Sequence, residues 1–267
     1  MHGWTKHKVF EKSPQTRDQW NMQNTTPITT SKTTTSVLRA EERGQADHGW
    51  LQARFTFSFA GYFNPDRMGF RSLRVMNNDT IAPGGGFPTH PHSDMEIFTY
   101  VISGELAHQD SMGNGSTIQA GDLQYMSAGS GVQHSEFNPS DATPTTLYQI
   151  WLHPEQPGGE PRYAEKPLGA DAQDNALTLL FSGDGRSGST EIRQQAEIYF
   201  GQADAGVTLE VPASETTPHV WLQVIEGEVE VLGETLATGD GIAAEDAPQA
   251  LQVRASSESK FLLFRLA

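Results

Sequence analysis

Two short stretches carry the residue types that could do chemistry. The first, GGGFPTHPHSDMEIFTYVISG over residues 84–104, holds His90-Pro91-His92 and then Glu96. The second, GSGVQHSEFN over 129–138, holds His134 and Glu136. Residues two apart in a strand point the same way. Two such pairs on neighbouring strands would bring three imidazoles and a carboxylate to one point, which is a metal site. Pro91 removes a backbone donor and stiffens the segment that presents both rings. The chain has no cysteine, so a metal must be held by His and carboxylate. Glu96 shares strand parity with His90 and His92 and competes with Glu136 for the fourth place; the residues alone leave the two open. Three neutral nitrogens and one carboxylate suit Fe, Mn, Ni, Co, Cu or Zn. They leave coordination positions free on a six-coordinate ion, as an oxygenase or a hydrolase requires.

Other candidates are weaker. His108 and Asp110 are two apart and read as a rim or hydrogen-bonding pair. His48 and His153 fall in loops and carry no signal. Phe87, Met95, Phe98, Met126 and Phe137 neighbour the ligands and divide between core and pocket lining. No lysine occurs between Lys32 and Lys166, which counts against a lysine-bearing pocket of the sugar-isomerising kind.

The elements that must position these groups read as β throughout. The 267 residues, 36% of them hydrophobic, with 26 glycines and 15 prolines, fit many short strands joined by turns. Phe55, Phe57 and Phe59 alternate in Arg54–Phe59 and suggest a half-buried strand. Asn64-Pro65-Asp66 and Asn77-Asn78-Asp79 read as turns. Strands at about 96–102, 105–110, 116–119, 123–127, 133–138 and 146–152 follow, and indicate a barrel or sandwich. Pro154–Asp174, rich in Pro, Gly, Ala and Asp, reads as a linker containing Pro161-Arg162-Tyr163. A second strand series then repeats the first in degenerate form. Gly104 in YVISGELAHQ matches Gly227 in LQVIEGEVEV, and Gly121-Asp122 matches Gly239-Asp240. The metal-type residues do not repeat: the second half offers a lone His219. One barrel should be chemically active and the other structural.

The formal net charge of −15 and the sequence pI near 4.9 argue against direct nucleic-acid contact and against anionic membranes. No apolar run approaches a membrane span, and the N-terminus lacks the apolar core of a signal peptide, so a cytoplasmic protein is expected. Residues 1–35 are rich in Thr, Ser, Asn and Gln. There Lys6, Lys8, Lys12, Arg17 and Lys32 outnumber Glu11 and Asp18, and the segment reads as a flexible extension.

Taken together, GWLQARFTFSFAGYFNPDRMGFRSLRVMNND, the 84–104 stretch with its continuation ELAHQDSMGNG, AGDLQYMSAGSGVQHSEFNPS and LYQIWLHPE resemble the pirin-like bicupins. The resemblance covers most of 36–155 and is looser in the second half. It implies an all-β chain of two tandem cupin (double-stranded β-helix, jelly-roll) barrels; with the composition, the chain then divides into a flexible extension over 1–35, which has no counterpart in the family pattern, an N-terminal barrel with a metal site over 36–155, a linker over 156–175 and a degenerate C-terminal barrel without metal over 176–267. It implies one divalent ion, Fe(II) first, held by His90, His92, His134 and Glu136, with Glu96 in a supporting place. It implies quercetin 2,3-dioxygenase activity, in which a flavonol ring is opened with O2 and carbon monoxide is released, with Glu136 as the base. Small aromatic substrate and O2 are then the partners. The family's nuclear members, associated with transcription, imply the alternative of a metal-dependent regulatory protein that binds another protein. One departure is Arg54-Phe55-Thr56-Phe57, where many bacterial members carry a His ahead of TFSF, which bears on pocket polarity or rim contacts.

Overall fold

The computed structural model describes residues 33–168 and 174–267, so the expected extension lies, up to residue 32, outside the described residues. Within them the short strands close into two barrels of one plan, each a seven-stranded sheet faced by a four-stranded one.

In the first barrel the large sheet runs β12 (Arg162–Pro167), β9 (Asp122–Ser127), β6 (Glu96–Ser103), β11 (Thr145–Leu152), β4 (Leu73–Ile81), β3 (Leu51–Phe55), β2 (Gly44–Asp47). Its small sheet runs β5 (Gly86–His92), β10 (Val132–Phe137), β7 (Glu105–Asp110), β8 (Gly115–Gln119). In the second barrel the large sheet runs β1 (Thr34–Leu38), β20 (Gly241–Glu245), β17 (His219–Glu226), β22 (Ser259–Leu266), β15 (Ala196–Ala203), β13 (Ala176–Ser182), β14 (Thr190–Glu191). Its small sheet runs β16 (Thr208–Glu210), β21 (Gln252–Ala255), β18 (Glu228–Val231), β19 (Glu234–Ala237). The repeat seen in the glycines is structural. Gly104 and Gly227 have φ of 79° and 83°, and Gly121 and Gly239 have 89° and 87°, all in the left-handed region where a side chain is strained.

The edge strands are exchanged. β1 precedes the first barrel in the chain yet pairs with β20 of the second, from Thr34 opposite Glu245 to Leu38 opposite Gly241. β12 precedes the second barrel yet pairs with β9 of the first. Residues 34 and 35 therefore belong to a strand rather than to a free extension, and the 156–175 stretch is not a bare linker, because Arg162–Pro167 is hydrogen-bonded sheet. Local composition cannot reveal a pairing whose partner lies far away in sequence.

Two local readings also change. Asn77-Asn78-Asp79 is no turn: it lies inside β4, between β11 and β3, where ladder pairing on both sides overrides the turn preference of these residues. The alternating aromatics divide as well. β3 ends at Phe55, and beyond it Phe57 turns toward the second barrel, its ring 5.2 Å from that of Trp221.

Each large sheet has two buried faces. Phe98, Tyr100, Tyr148 and Ile150 from one, with Phe181, Phe200, Leu262 and Phe264 from the other, form a single core between the barrels. Inside the second barrel Leu222, Val224, Val229, Val253 and Leu263 belong to one continuous apolar cluster. The first barrel instead holds two apolar clusters, one around Leu51, Ile81, Val101 and Leu106 and one of Ile97, Met126, Ala128 and Val132. It also buries Thr99, His108, Gln124, His134 and Glu136. Each such position forgoes the ~1.5–3 kcal/mol that a buried aliphatic side chain contributes.

Candidate metal centre

The small sheet of the first barrel brings the two histidine stretches side by side. β10 pairs with β5 so that His134 lies opposite His90, and with β7 so that Glu136 lies opposite His108. Between His134 and Glu136 the register slips: Glu136 faces Phe87, one residue further along β5 than regular pairing gives. This bulge turns both Phe87 and His90 toward the barrel interior, where period-two counting would separate them.

His90, His92 and His134 each offer a ring nitrogen, all within 4.8 Å of one another. The His90 Nδ1–H donates to Pro88 O at 2.8 Å across the bulge, which leaves Nε2 as the free lone pair. That Nε2 faces His134 Nε2 at 3.0 Å. Two nitrogens bound at right angles to one ion at ~2.1 Å would be ~3.0 Å apart, so the pair fits adjacent corners of an octahedral ion. His92 packs at 4.8 Å from the His90 ring and 4.9 Å from that of His134, with the Trp151 ring edge-on at 4.9 Å. Burial, then the neighbouring His90, pushes His92 down to about 4. Burial, then the other imidazoles, pushes His134 down to about 3. Neutral rings at pH 7 offer lone pairs without competition from protons.

Glu136 adjoins the cluster at His134, in a second group that does not include His90 or His92. Its carboxylate lies within 4.8 Å of ring nitrogens of His108 and His134. Oε1 accepts from Thr99 Oγ1 and Gln124 Nε2, both at 3.4 Å, and Oε2 from Gln149 Nε2 at 3.1 Å. Burial raises its pKa to about 7 against the pull of these three donors. His108 spends both ring nitrogens elsewhere: Nε2–H donates to Asp110 Oδ2 and Nδ1 accepts from Gln124 Nε2, each at 3.3 Å, while its ring stacks on Tyr163 at 4.9 Å. It is the hydrogen-bonding pair expected with Asp110.

Glu96 stands apart from the imidazoles. A turn through Asp94, at φ 61°, separates β5 in the small sheet from β6 in the large one, so parity does not carry from His92 to Glu96. Glu96 faces the second barrel. It accepts from Tyr125 Oη and Ser127 Oγ, and from the backbone N–H of Arg193 at 3.0 Å. The Arg193 guanidinium in turn donates to Gly158 O at 3.2 Å and Glu160 O at 2.6 Å. The group tethers the barrels to each other.

His90 and His92 open on a cavity of about 460 Å³. Trp50, Phe55, Phe59, Phe87 and Trp151 make its apolar wall, and Asn77, Asp79, Gln149, Glu136, His90 and His92 its polar one. Of the apolar neighbours expected from sequence only Phe87 lines it; Phe98 packs between the barrels, Met126 with Met95 in a small cluster, and Phe137 is exposed. Arg54 points to solvent and is not among the lining residues. Trp151 and Gln149 carry no sequence signal because polar and aromatic residues in short strands do not reveal which face is inward, and Asn77 and Asp79 read as a turn; His48, read as a loop residue without signal, stands at the rim. Burial, then the charge of Glu136, raises Asp79 to about 7. No helix among the described residues is long and apolar enough to cross a membrane.

Comparison with known proteins agrees with this geometry. The family described as Pirin matches residues 37–152, and the quercetinase C-terminal cupin domain matches 179–266. A protein of Escherichia coli K12 named quercetin 2,3-dioxygenase is 47% identical over 231 residues, covering 86% of this chain and 97% of its own. A pirin-like protein of Caulobacter vibrioides is 42% identical over 77% of this chain and 88% of its own. The crystal structure of a bacterial pirin from Escherichia coli in complex with nickel(II) superposes with a TM-score of 0.82 at 43% identity, over 87% of this chain and 99% of that one. A divalent metal is thus the cofactor that this fold and its histidine cluster support.

Proposed function

The chain belongs to the pirin family, and on that premise we propose that it is a metal-dependent dioxygenase that opens a quercetin-like flavonol with O2. The observation that carries this reading is the junction of three close imidazoles with a cavity walled by flat aromatic side chains. His90, His92, His134 and Glu136 are the proposed ligands, and Fe(II) the proposed ion, with nickel(II) the ion held by a relative. The bound ion would supply Lewis acidity toward the flavonol 3-hydroxyl and a common template for substrate and O2.

The chain's own residues do the rest. Trp50, Phe55, Phe59 and Trp151 receive the planar rings and keep water out. Glu136, which lines the cavity with His90 and His92, takes the 3-hydroxyl proton. Thr99, Gln124 and Gln149 fix its orientation. The second barrel contributes support, since its interior is filled with aliphatic side chains.

The test is anaerobic loading with Fe, Mn, Ni, Co or Cu, then quercetin and O2, following loss of flavonol absorbance and release of carbon monoxide. Turnover with at least one metal, abolished in His134→Ala, is expected. No turnover with any of the five overturns the proposal.

A further inference from the structure

The large sheet of the first barrel presents two transverse rows of side chains to the interior. In one, Gln124, Thr99, Gln149, Asn77 and Phe55 are successive partners across β9, β6, β11, β4 and β3. The first three bond to Glu136, whereas Asn77 lies beyond their reach along the row. In the next row the partners are Val101, Leu147, Asp79 and Ala53. Asp79 is therefore a carboxyl set between apolar neighbours, with Ile81 beside it on its own strand.

Both polar side chains are buried, Asn77 at 2% and Asp79 at 4% exposure, and both line the cavity. The Oδ1 of each has no hydrogen-bond partner among the described residues. Leaving a buried polar oxygen unpaired is costly. A few polar groups placed on an otherwise apolar cavity wall are what orients a bound molecule.

We propose that Asp79 and Asn77 form a specificity-determining pair that holds a phenolic hydroxyl of the substrate, distinct from the 3-hydroxyl presented to the imidazoles. The hydroxyl donates to the unpaired Oδ1 of Asp79 or of Asn77, both of them acceptors. The cavity then selects polyhydroxylated flat aromatics over equally flat ones without outer-ring hydroxyls. This rests on the flavonol reading above only for the choice of ligand.

The test is anaerobic equilibrium binding to the nickel(II)-loaded protein, followed by flavonol absorbance. The ligands are quercetin and 3-hydroxyflavone, which keeps the 3-hydroxyl and 4-carbonyl but lacks the other hydroxyls. The wild type should prefer quercetin by roughly tenfold or more, as for a hydrogen bond to an ionisable group. Asp79→Leu should remove most of that preference while binding 3-hydroxyflavone as before, and Asp79→Asn should fall between. A wild type that binds both ligands equally overturns the proposal without recourse to any variant. So does a preference that survives in both variants, which would leave Asp79 a structural residue while the flavonol reading stands. If neither flavonol binds the wild type, the flavonol reading fails too.

Discussion

Glu96→Gln separates the two carboxylates that compete, in the sequence, for the fourth ligand place. Glu96 is 1% exposed and accepts three hydrogen bonds, Ser127 on Oε1 and both Tyr125 and the Arg193 N–H on Oε2. A glutamine offers one acceptor and one donor in their place. If the amide nitrogen replaces Oε2 it faces the Arg193 N–H, another donor; if it replaces Oε1 the Ser127 hydroxyl must give up donating and accept instead. Hydrogen bonds to a charged group contribute ~1.5–3 kcal/mol each, so loss of one or two costs about 3 kcal/mol. For a chain of this size that lowers Tm by roughly 6–12 °C. The assays are urea or thermal unfolding beside metal analysis of the purified variant. Glu96→Gln should bind metal like the wild type and unfold much earlier; Glu136→Gln should lose metal with a smaller change in unfolding. A Glu96→Gln protein that unfolds like the wild type but has lost its metal would refute the assignment of Glu96 to the seam between the barrels.

Three further outcomes follow from the site and the sheets. His134 stays neutral in the folded chain down to about pH 3, against 6.5 unfolded, so the unfolded state binds the extra proton in that window. It therefore contributes stability that is full above pH 6.5 and lost as pH falls toward 3, at most ~5 kcal/mol; urea midpoints of metal-free protein between pH 4 and 7 should fall less steeply in His134→Gln. Gln149→Leu removes a donor from Glu136 and should raise the pKa of that carboxyl further, by about one to two units; infrared titration of its carboxyl band in metal-free protein, assigned with Glu136→Gln, would show it. A chain starting at Ala40 lacks β1 and the Arg39–Asp240 ion pair, and leaves the β20 edge bare; it should be less stable than one starting at Thr33 and more prone to self-association in light scattering.

The histidine stretches were legible because their signal is local: a pair of metal-type residues two apart, twice, as His90 with His92 and His134 with Glu136, after glycine-rich segments. The repeat was legible for the same reason, since Gly104 and Gly227 mark one left-handed turn twice. What escaped depends on partners distant in sequence. The bulge opposite Glu136 is set by β10, and parity from His92 to Glu96 fails because the chain changes sheets at Asp94. Asn77-Asn78-Asp79 reads as a turn to any local rule. Only its pairing with Tyr148 and its neighbours on one side, and with Arg54 on the other, makes it strand and places Asp79 on the cavity wall.

The exchanged edge strands also decide how the chain can be divided. A cut after Pro167 leaves the second barrel without β1, and a cut before Arg162 leaves the first without β12 as well. No single break yields two complete barrels. Halves separated before Arg162 are therefore expected to behave as complementing fragments, each unable to close its own sheet and each carrying the piece the other lacks. The metal centre, though built from one barrel's side chains, would then report on reassembly of both.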